Sequence, residues 1–315
     1  MTSRRYFLRT TALAATLVLG AMMPGAVLAQ DKIKIGFSQG TMNHPWRVAM
    51  VEGNKKYAAE HYPDVDLIVT DGNNDASKQV ADVESLIAQG IKVLMISPLT
   101  EQALTPVVKE AMDAGIKVVT LDRKVNTPVT VHVGGENLPL GVGAGEFLAK
   151  KLNGKGNIIE LQGTAGASAT IDRNKGFAEA IAKHPDMKVV ASQNCDYTRD
   201  KAVKFMEDMV QRFGPGQIQA VYAHNDEMAL GAIQVLEAAG RLNEVAVVGI
   251  DGQETAFEAV KQGKLAATFV YPFVAPEGIE TAYKVAKGEE VPETITLPTV
   301  SVTPDNIADM IGKGF

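Results

Sequence analysis

One unit recurs along this chain: a short run of aliphatic residues, a knot of polar groups, then an amphipathic helix. It is plainest at Asn157–Phe177 (NIIELQGTAGASATIDRNKGF) and Ala220–Gly231 (AVYAHNDEMALG). It returns at Ile96–Ala103, Thr120–Lys124 and Val247–Thr255, with a variant at Phe37–Arg47. Parallel strands need a crossover, usually a helix, between them, so such alternation predicts α/β architecture with parallel, doubly wound sheets. In open sheets of this kind, polar groups just past the carboxyl ends of the strands share one crevice.

The alternation runs from Lys32 onward. The spacing predicts strands at Ile33–Phe37, Leu67–Thr70, Val93–Ile96 and Val118–Leu121 in a first half. The second half repeats the plan with strands at Ile158–Leu161, Val189–Ala191, Ala220–Tyr222, Val245–Ile250 and Ala267–Tyr271. Val80, Val83, Leu86 and Ile87 fall on one helix face. Gly90 and Gly115 stop their helices as C-terminal caps do. Two glycines at His132–Asn137 (HVGGEN) mark the boundary, and the chain is expected to cross back at Tyr271–Pro276 and again near Leu297–Thr303. The expectation is therefore two Rossmann-like lobes, residues 31–135 with 272–297 and residues 136–271 with 298–315, joined by a three-segment hinge with a cleft between them.

The first 29 residues read as an export signal rather than as fold: Arg4, Arg5 and Arg9, an apolar stretch Ala12–Met23, and small residues before a cut after Val27-Leu28-Ala29. Ser3-Arg4-Arg5-Tyr6-Phe7-Leu8 resembles the twin-arginine type, with an ordinary secretory signal as the alternative. The leader carries three Arg and no acid, so its removal leaves 28 basic and 37 acidic residues, a net charge of −9. An acidic exported chain is a poor partner for nucleic acid. Cys195 is the single cysteine, so no internal disulfide forms; it reads as a packed thiol. No Cys follows the cut to carry a lipid anchor.

A site for an uncharged polyol needs planar groups that take adjacent hydroxyls in pairs, charged donors, and an aromatic face for the C–H side of a ring. Strand ends supply each: Asp122 with Arg123, Asn225 with Asp226, Asp251, Arg173 after the Gly163–Gly166 turn, and Trp46 beside Arg47. Each also has a plainer reading. Asp226 and Asp251 could be helix N-caps, Arg123 a surface ion pair, and Trp46, Tyr197 and Tyr271 packed aromatics. Other chemistries find less support. Gly141-Val-Gly-Ala-Gly145 lies inside a helical stretch rather than after a strand, the five histidines lack metal spacing, and no Ser occupies a nucleophile elbow.

ELQGTAGASATIDRNKGF, YAHNDEMALGA, VVGIDG, TLDR and GKLAAT together resemble the periplasmic sugar-binding proteins of ABC transporters, in the ribose- and galactofuranose-binding branch. The likeness spans nearly all of Lys32–Thr303. It implies two α/β lobes closing on one monosaccharide, no enzyme activity, no cofactor and no metal. It also implies a monomer in the periplasm that serves the permease of an importer; docking to a chemotaxis receptor stays open. The family's contact positions fall on Asp122, Arg123, Arg173, Asn225, Asp251, Trp46 and Tyr197. Departures from the ribose type lie at His44, Arg47, Ser97 and Tyr271, which with Asn43 complete the candidate set. Those departures move the expected ligand from ribose towards a furanose or related small polyol. A sugar-responsive regulator would need an N-terminal helix-turn-helix, where the export signal stands. An exported sugar-processing enzyme would need a nucleophile–base set or a nucleotide loop.

Overall fold

A computed structural model describes residues 1–2 and 32–315; the leader and its cleavage point lie outside the described residues. Residues 32–315 form one compact unit.

The unit opens with β1 (Ile33–Gln39), α1 (Pro45–His61), β2 (Val65–Asp71), α2 (Ala76–Ala88), β3 (Val93–Ser97), α3 (Glu101–Asp113), β4 (Lys117–Leu121) and β5 (Val131–Gly134). It continues with α4 (Asn137–Lys151), β6 (Lys155–Gln162), α5 (Ser168–Ile181), β7 (Asp186–Asn194), α6 (Arg199–Arg212), β8 (Ala220–Ala223), α7 (Asp226–Ala238), β9 (Ala246–Asp251), α8 (Glu254–Lys261) and β10 (Ala267–Val270). It ends with α9 (Glu277–Lys287), β11 (Thr294–Thr296), β12 (Val300–Val302) and α10 (Ile307–Met310).

The strands make two six-stranded sheets, ordered β11-β5-β4-β3-β1-β2 and β12-β10-β9-β8-β6-β7. Both are doubly wound: β1 pairs with β2 and β3, and β6 with β7 and β8, all parallel. The one exception to the parallel expectation is β12, which pairs antiparallel with β10. An edge position tolerates this, because the strand arrives by a short excursion from β11 rather than through a helix. The chain passes between the sheets three times, after β5, after β10 and between β11 and β12.

Interior strands such as β3 and β8 are buried from end to end, as strands covered on both faces must be. In the first lobe, Val83 and Leu86 of α2 and Leu104 and Val108 of α3 pack on Leu94, Ile96 and Val118. In the second, Phe205, Met206, Met228, Leu236 and Phe257 cover Ile159, Leu161 and Val221.

The glycine run read as helical lies inside α4. A Cβ on Gly141 would meet the carbonyl oxygen of Arg173, and one on Gly145 would sit 2.6 Å from the Ala180 Cβ. The run therefore lets α4 press against α5, which fixes the height of Arg173 above the sheet. Two elements, β5 and α10, do not show in the sequence pattern. Gly134 and Gly135 obscure β5, whose Gly134 terminates the strand, and α10 is a single turn without a periodic face.

Candidate ligand-binding site

Four residues from each lobe wall a narrow hollow: His44, Trp46, Arg47 and Asp122 from the first, Arg173, Tyr197, Asp251 and Tyr271 from the second. All eight side chains are buried.

Local structure explains each placement. Pro45 opens α1, where its missing N–H costs nothing, and the next two residues point Trp46 and Arg47 inward. Asp122 follows β4 with φ 61°, Tyr197 sits in the β7–α6 turn with φ 63°, and Asp251 ends β9 with φ 130°. Positive φ is costly for these residue types and tends to occur where surrounding structure forces a side chain into a functional pose. Asp251 is not the N-cap of α8, which is Gln253. Arg173 lies one turn inside α5, since that helix begins at Ser168 rather than at the arginine.

The polar walls are interlocked. Arg47 Nη2 donates to Asp122 Oδ2 at 2.6 Å, and Arg47 Nη1 donates to Ser97 Oγ at 2.6 Å. Arg173 Nε donates to Asn137 Oδ1 at 2.8 Å, its Nη1 donates to the His224 carbonyl at 2.5 Å, and Nη1 stands 3.9 Å from Asp251 Oδ1. The Arg173 guanidinium lies over the Tyr271 ring at 4.8 Å and near the Tyr197 ring at 5.9 Å. Trp46 Nε1 donates to the Tyr271 carbonyl at 3.1 Å.

Buried polar atoms without a partner gather here. They include both ring nitrogens of His44, Nε of Arg47, and Nε and Nη2 of Arg123. An unpaired buried donor forfeits the strength of a hydrogen bond, so the cluster favours a guest that brings oxygen acceptors.

The charges differ in state. Burial acts to raise the Asp122 carboxyl, but Arg47 and Arg123 outweigh it and hold it below its ordinary value, so it is ionised. Burial pushes Asp251 well above its ordinary value; Arg173 offsets this only in part, while Asp226 and Asp122 add to it. His44 is held well below its usual range by burial and then by Arg47, Arg123 and Arg173, which leaves it neutral at pH 7. The hollow thus combines a hydroxyl acceptor in Asp122, a carboxyl in Asp251 whose charged form burial disfavours, a neutral imidazole and cationic donors.

Not every expected residue reaches the hollow. Arg123 lies just behind it, with Nη1 donating to the Leu99 carbonyl at 2.9 Å and its guanidinium 5.4 Å from the Tyr197 ring centre. Ser97 supports Arg47 from behind. Asn225 is spent on the protein: Oδ1 accepts from Met228 N as the α7 cap, and Nδ2 donates to the Tyr197 carbonyl at 3.0 Å. Asn43 sits outside, on a wider groove that it shares with His44, Arg199 and Lys201. Asp226 is structural, accepting from Gly252 N, Gln253 N and Thr268 Oγ1. Asn137, which bridges Arg173 and Tyr271 Oη, escaped sequence reasoning because it follows a strand hidden by its glycines.

Burial pushes the Cys195 thiol, which does not line the hollow, up to about 12. Among the described residues, no group of three or more His, Cys, Asp and Glu could hold a metal ion. No described helix is long and apolar enough to cross a membrane.

Comparison with known proteins places this geometry. Residues 35–290 match the periplasmic binding protein domain. The ribose import binding protein RbsB of Escherichia coli (strain K12) is 39% identical over 282 residues, covering 89% of this chain and 93% of that protein. The galactofuranose-binding protein YtfQ of the same organism is 35% identical over 305 residues, covering 94% and 95%. A crystal structure of a galactofuranose binding protein superposes with a TM-score of 0.84 at 34% identity, over 89% of this chain and 98% of that one. With two doubly wound lobes around one polar hollow, this chain belongs to the periplasmic binding protein family.

Proposed function

We propose that this protein is an exported receptor that closes over one small sugar, a furanose or related polyol, and delivers it to the permease of an ABC importer. The observation that carries this reading is the two-sided hollow. Asp122 and Arg47 face Arg173 and Asp251 across a narrow shared space, with Trp46 and Tyr271 as apolar faces. The ligand names of the similar proteins, ribose and galactofuranose, support the sugar class.

Asp122 accepts from adjacent hydroxyls, Arg173 donates to ring and exocyclic oxygens, and Trp46 covers the C–H face. Discrimination comes from burial: an analogue lacking one hydroxyl leaves a buried charged group unpaired, at about 1–3 kcal/mol. The three passages between the sheets serve as the hinge, with lobes of residues 31–135 plus 272–297 and 136–271 plus 298–315. Closure is driven by contacts that exist only in the closed form. The leader takes the chain to the periplasm by the twin-arginine route, and the receptor acts as a monomer without turnover of its guest.

A thermal-shift screen against aldoses, ketoses and alditols tests the reading, because a guest that binds only the native state raises the melting point by mass action. A shift confined to one small sugar or polyol is expected. No shift with any of them at millimolar concentration contradicts the proposal.

A further inference from the structure

Behind the second lobe's half of the hollow lies a buried carboxylate–imidazole pair whose side chains do not line the cavity. Glu160 on β6 is 2% exposed and His224, just after β8, is fully buried. Their Oε1 and Nε2 are 3.0 Å apart. Asn174 Nδ2 donates to both Glu160 oxygens at 3.0 and 3.1 Å, and Gln162 Nε2 donates to Oε2 at 3.2 Å. On the far side of the imidazole, Gly163 N donates to Nδ1 at 3.4 Å. This pattern assigns the ring proton to Nε2, so a neutral imidazole donates to an ionised carboxylate.

The backbone that this pair immobilises is the one from which the cavity wall hangs. The His224 carbonyl accepts Arg173 Nη1 at 2.5 Å, and Asn225 Nδ2 holds the Tyr197 carbonyl at 3.0 Å. Gly163, tied to Nδ1, packs against the Tyr197 ring so closely that any Cβ would collide with it. A buried ionised carboxylate is costly, and replacing such a group with apolar packing is often neutral or stabilising, so core packing alone does not account for it.

We infer that Glu160 and His224 are positioning residues for sugar binding, setting the pose of Arg173 and Tyr197 through the His224–Asn225 backbone. This deepens the proposed function and rests on it. The charged and titratable groups around the imidazole are Glu160, Arg173 and Tyr222, the last with its ring centre 5.0 Å away.

Two arms test it. In the first, calorimetry with D-ribose, D-galactose and xylitol is run on the wild type, Glu160→Gln, Arg173→Lys and the double variant. Glu160→Gln is expected to weaken the best of the three probes about tenfold, and less than twofold when Arg173→Lys is already present, because coupled residues do not add. Unchanged affinity in Glu160→Gln, or the same loss on both backgrounds, overturns the inference. Asn174→Ala, a milder change on the edge of the network, takes the place of Glu160→Gln in the same cycle if that variant does not fold. In the second arm, nitrogen-15 NMR of the sugar-free wild type reads the His224 tautomer. A proton on Nε2 is expected, and one on Nδ1 overturns the inference. If none of the three probes binds the wild type, the cycle is run with the best guest of the melting screen; a screen without any guest refutes the proposed function, and the tautomer decides the geometry of the pair separately.

Discussion

Trp46 and Tyr271 meet across the cleft: Trp46 Nε1 donates to the Tyr271 carbonyl at 3.1 Å, and the two rings stand 5.6 Å apart. One belongs to the first helix of the first lobe, the other to the segment leaving the last parallel strand of the second. This bond ties the first helix to the segment through which the chain passes back to the first sheet. Trp46→Phe keeps an apolar face but removes the donor, which costs the closed form about 1 kcal/mol. Sugar affinity is expected to fall about fivefold, with little change in the unfolding free energy of the sugar-free protein. Equal affinity in the variant would show that the bond plays no part in closure.

A second contact joins the lobes at the rim. Lys124 N donates to Ser168 Oγ at 2.9 Å, and beside it Glu101 N donates to the Gly166 carbonyl at 3.0 Å. Ser168→Ala deletes the acceptor for Lys124 N. Loss of one such bond, about 0.5–1.5 kcal/mol, should weaken binding threefold to tenfold and shift small-angle scattering of the sugar-free protein towards a larger radius. An unchanged radius and affinity would rule out the latch.

Helix contact sets the height of Arg173, so Gly141→Val should displace it. The new side chain runs into the Arg173 carbonyl and the Phe177 amide. Overpacking of this kind costs about 1–3 kcal/mol. Denaturant unfolding should show that loss, and binding should weaken further through the bond from Arg173 Nε to Asn137. Wild-type stability in the variant would contradict the packing account.

His132 gives a pH signature away from the hollow. Burial, and then Lys124, push its pKa down to about 4, and Nδ1 pairs with Thr120 Oγ1 at 3.0 Å. The unfolded chain takes up a proton near pH 6.5 that the native state refuses until about 4. Stability is therefore full above 6.5 and falls as pH drops towards 4, by on the order of 3 kcal/mol. His132→Gln should remove this part of the acid sensitivity. The difference between wild-type and variant unfolding free energies, measured from pH 7 to 4, is expected to track that window; a constant difference would show that the imidazole does not titrate in it.

Strand–helix alternation carries enough information for the architecture, because buried parallel strands and one-sided helices have distinct periods. Asp122, Arg173 and Asp251 are legible as candidates for the hollow for the same reason: each lies at or beyond the carboxyl end of a strand, on the edge where crevices form. Their division of labour was not. Whether Asn225 faces a guest or caps a helix depends on the turn at Tyr197, far away in the chain. Asp226 and Asp251 read alike in sequence, yet one is tied to two backbone amides and a threonine while the other lines the hollow. Asn137 and the Glu160–His224 pair act through residues distant in sequence, and no local pattern marks such a network.

The central claim is that groups from both lobes grip a single small sugar. The most direct measurement is titration calorimetry of the best aldose or alditol from the melting screen against wild type, Asp122→Ala and Arg173→Ala. The wild type should bind one molecule per chain. Asp122→Ala leaves Arg47 buried and unpaired, and Arg173→Ala removes the donor opposite; each should weaken binding by about a hundredfold or more. Affinities in both variants equal to that of the wild type would mean that the sugar sits elsewhere.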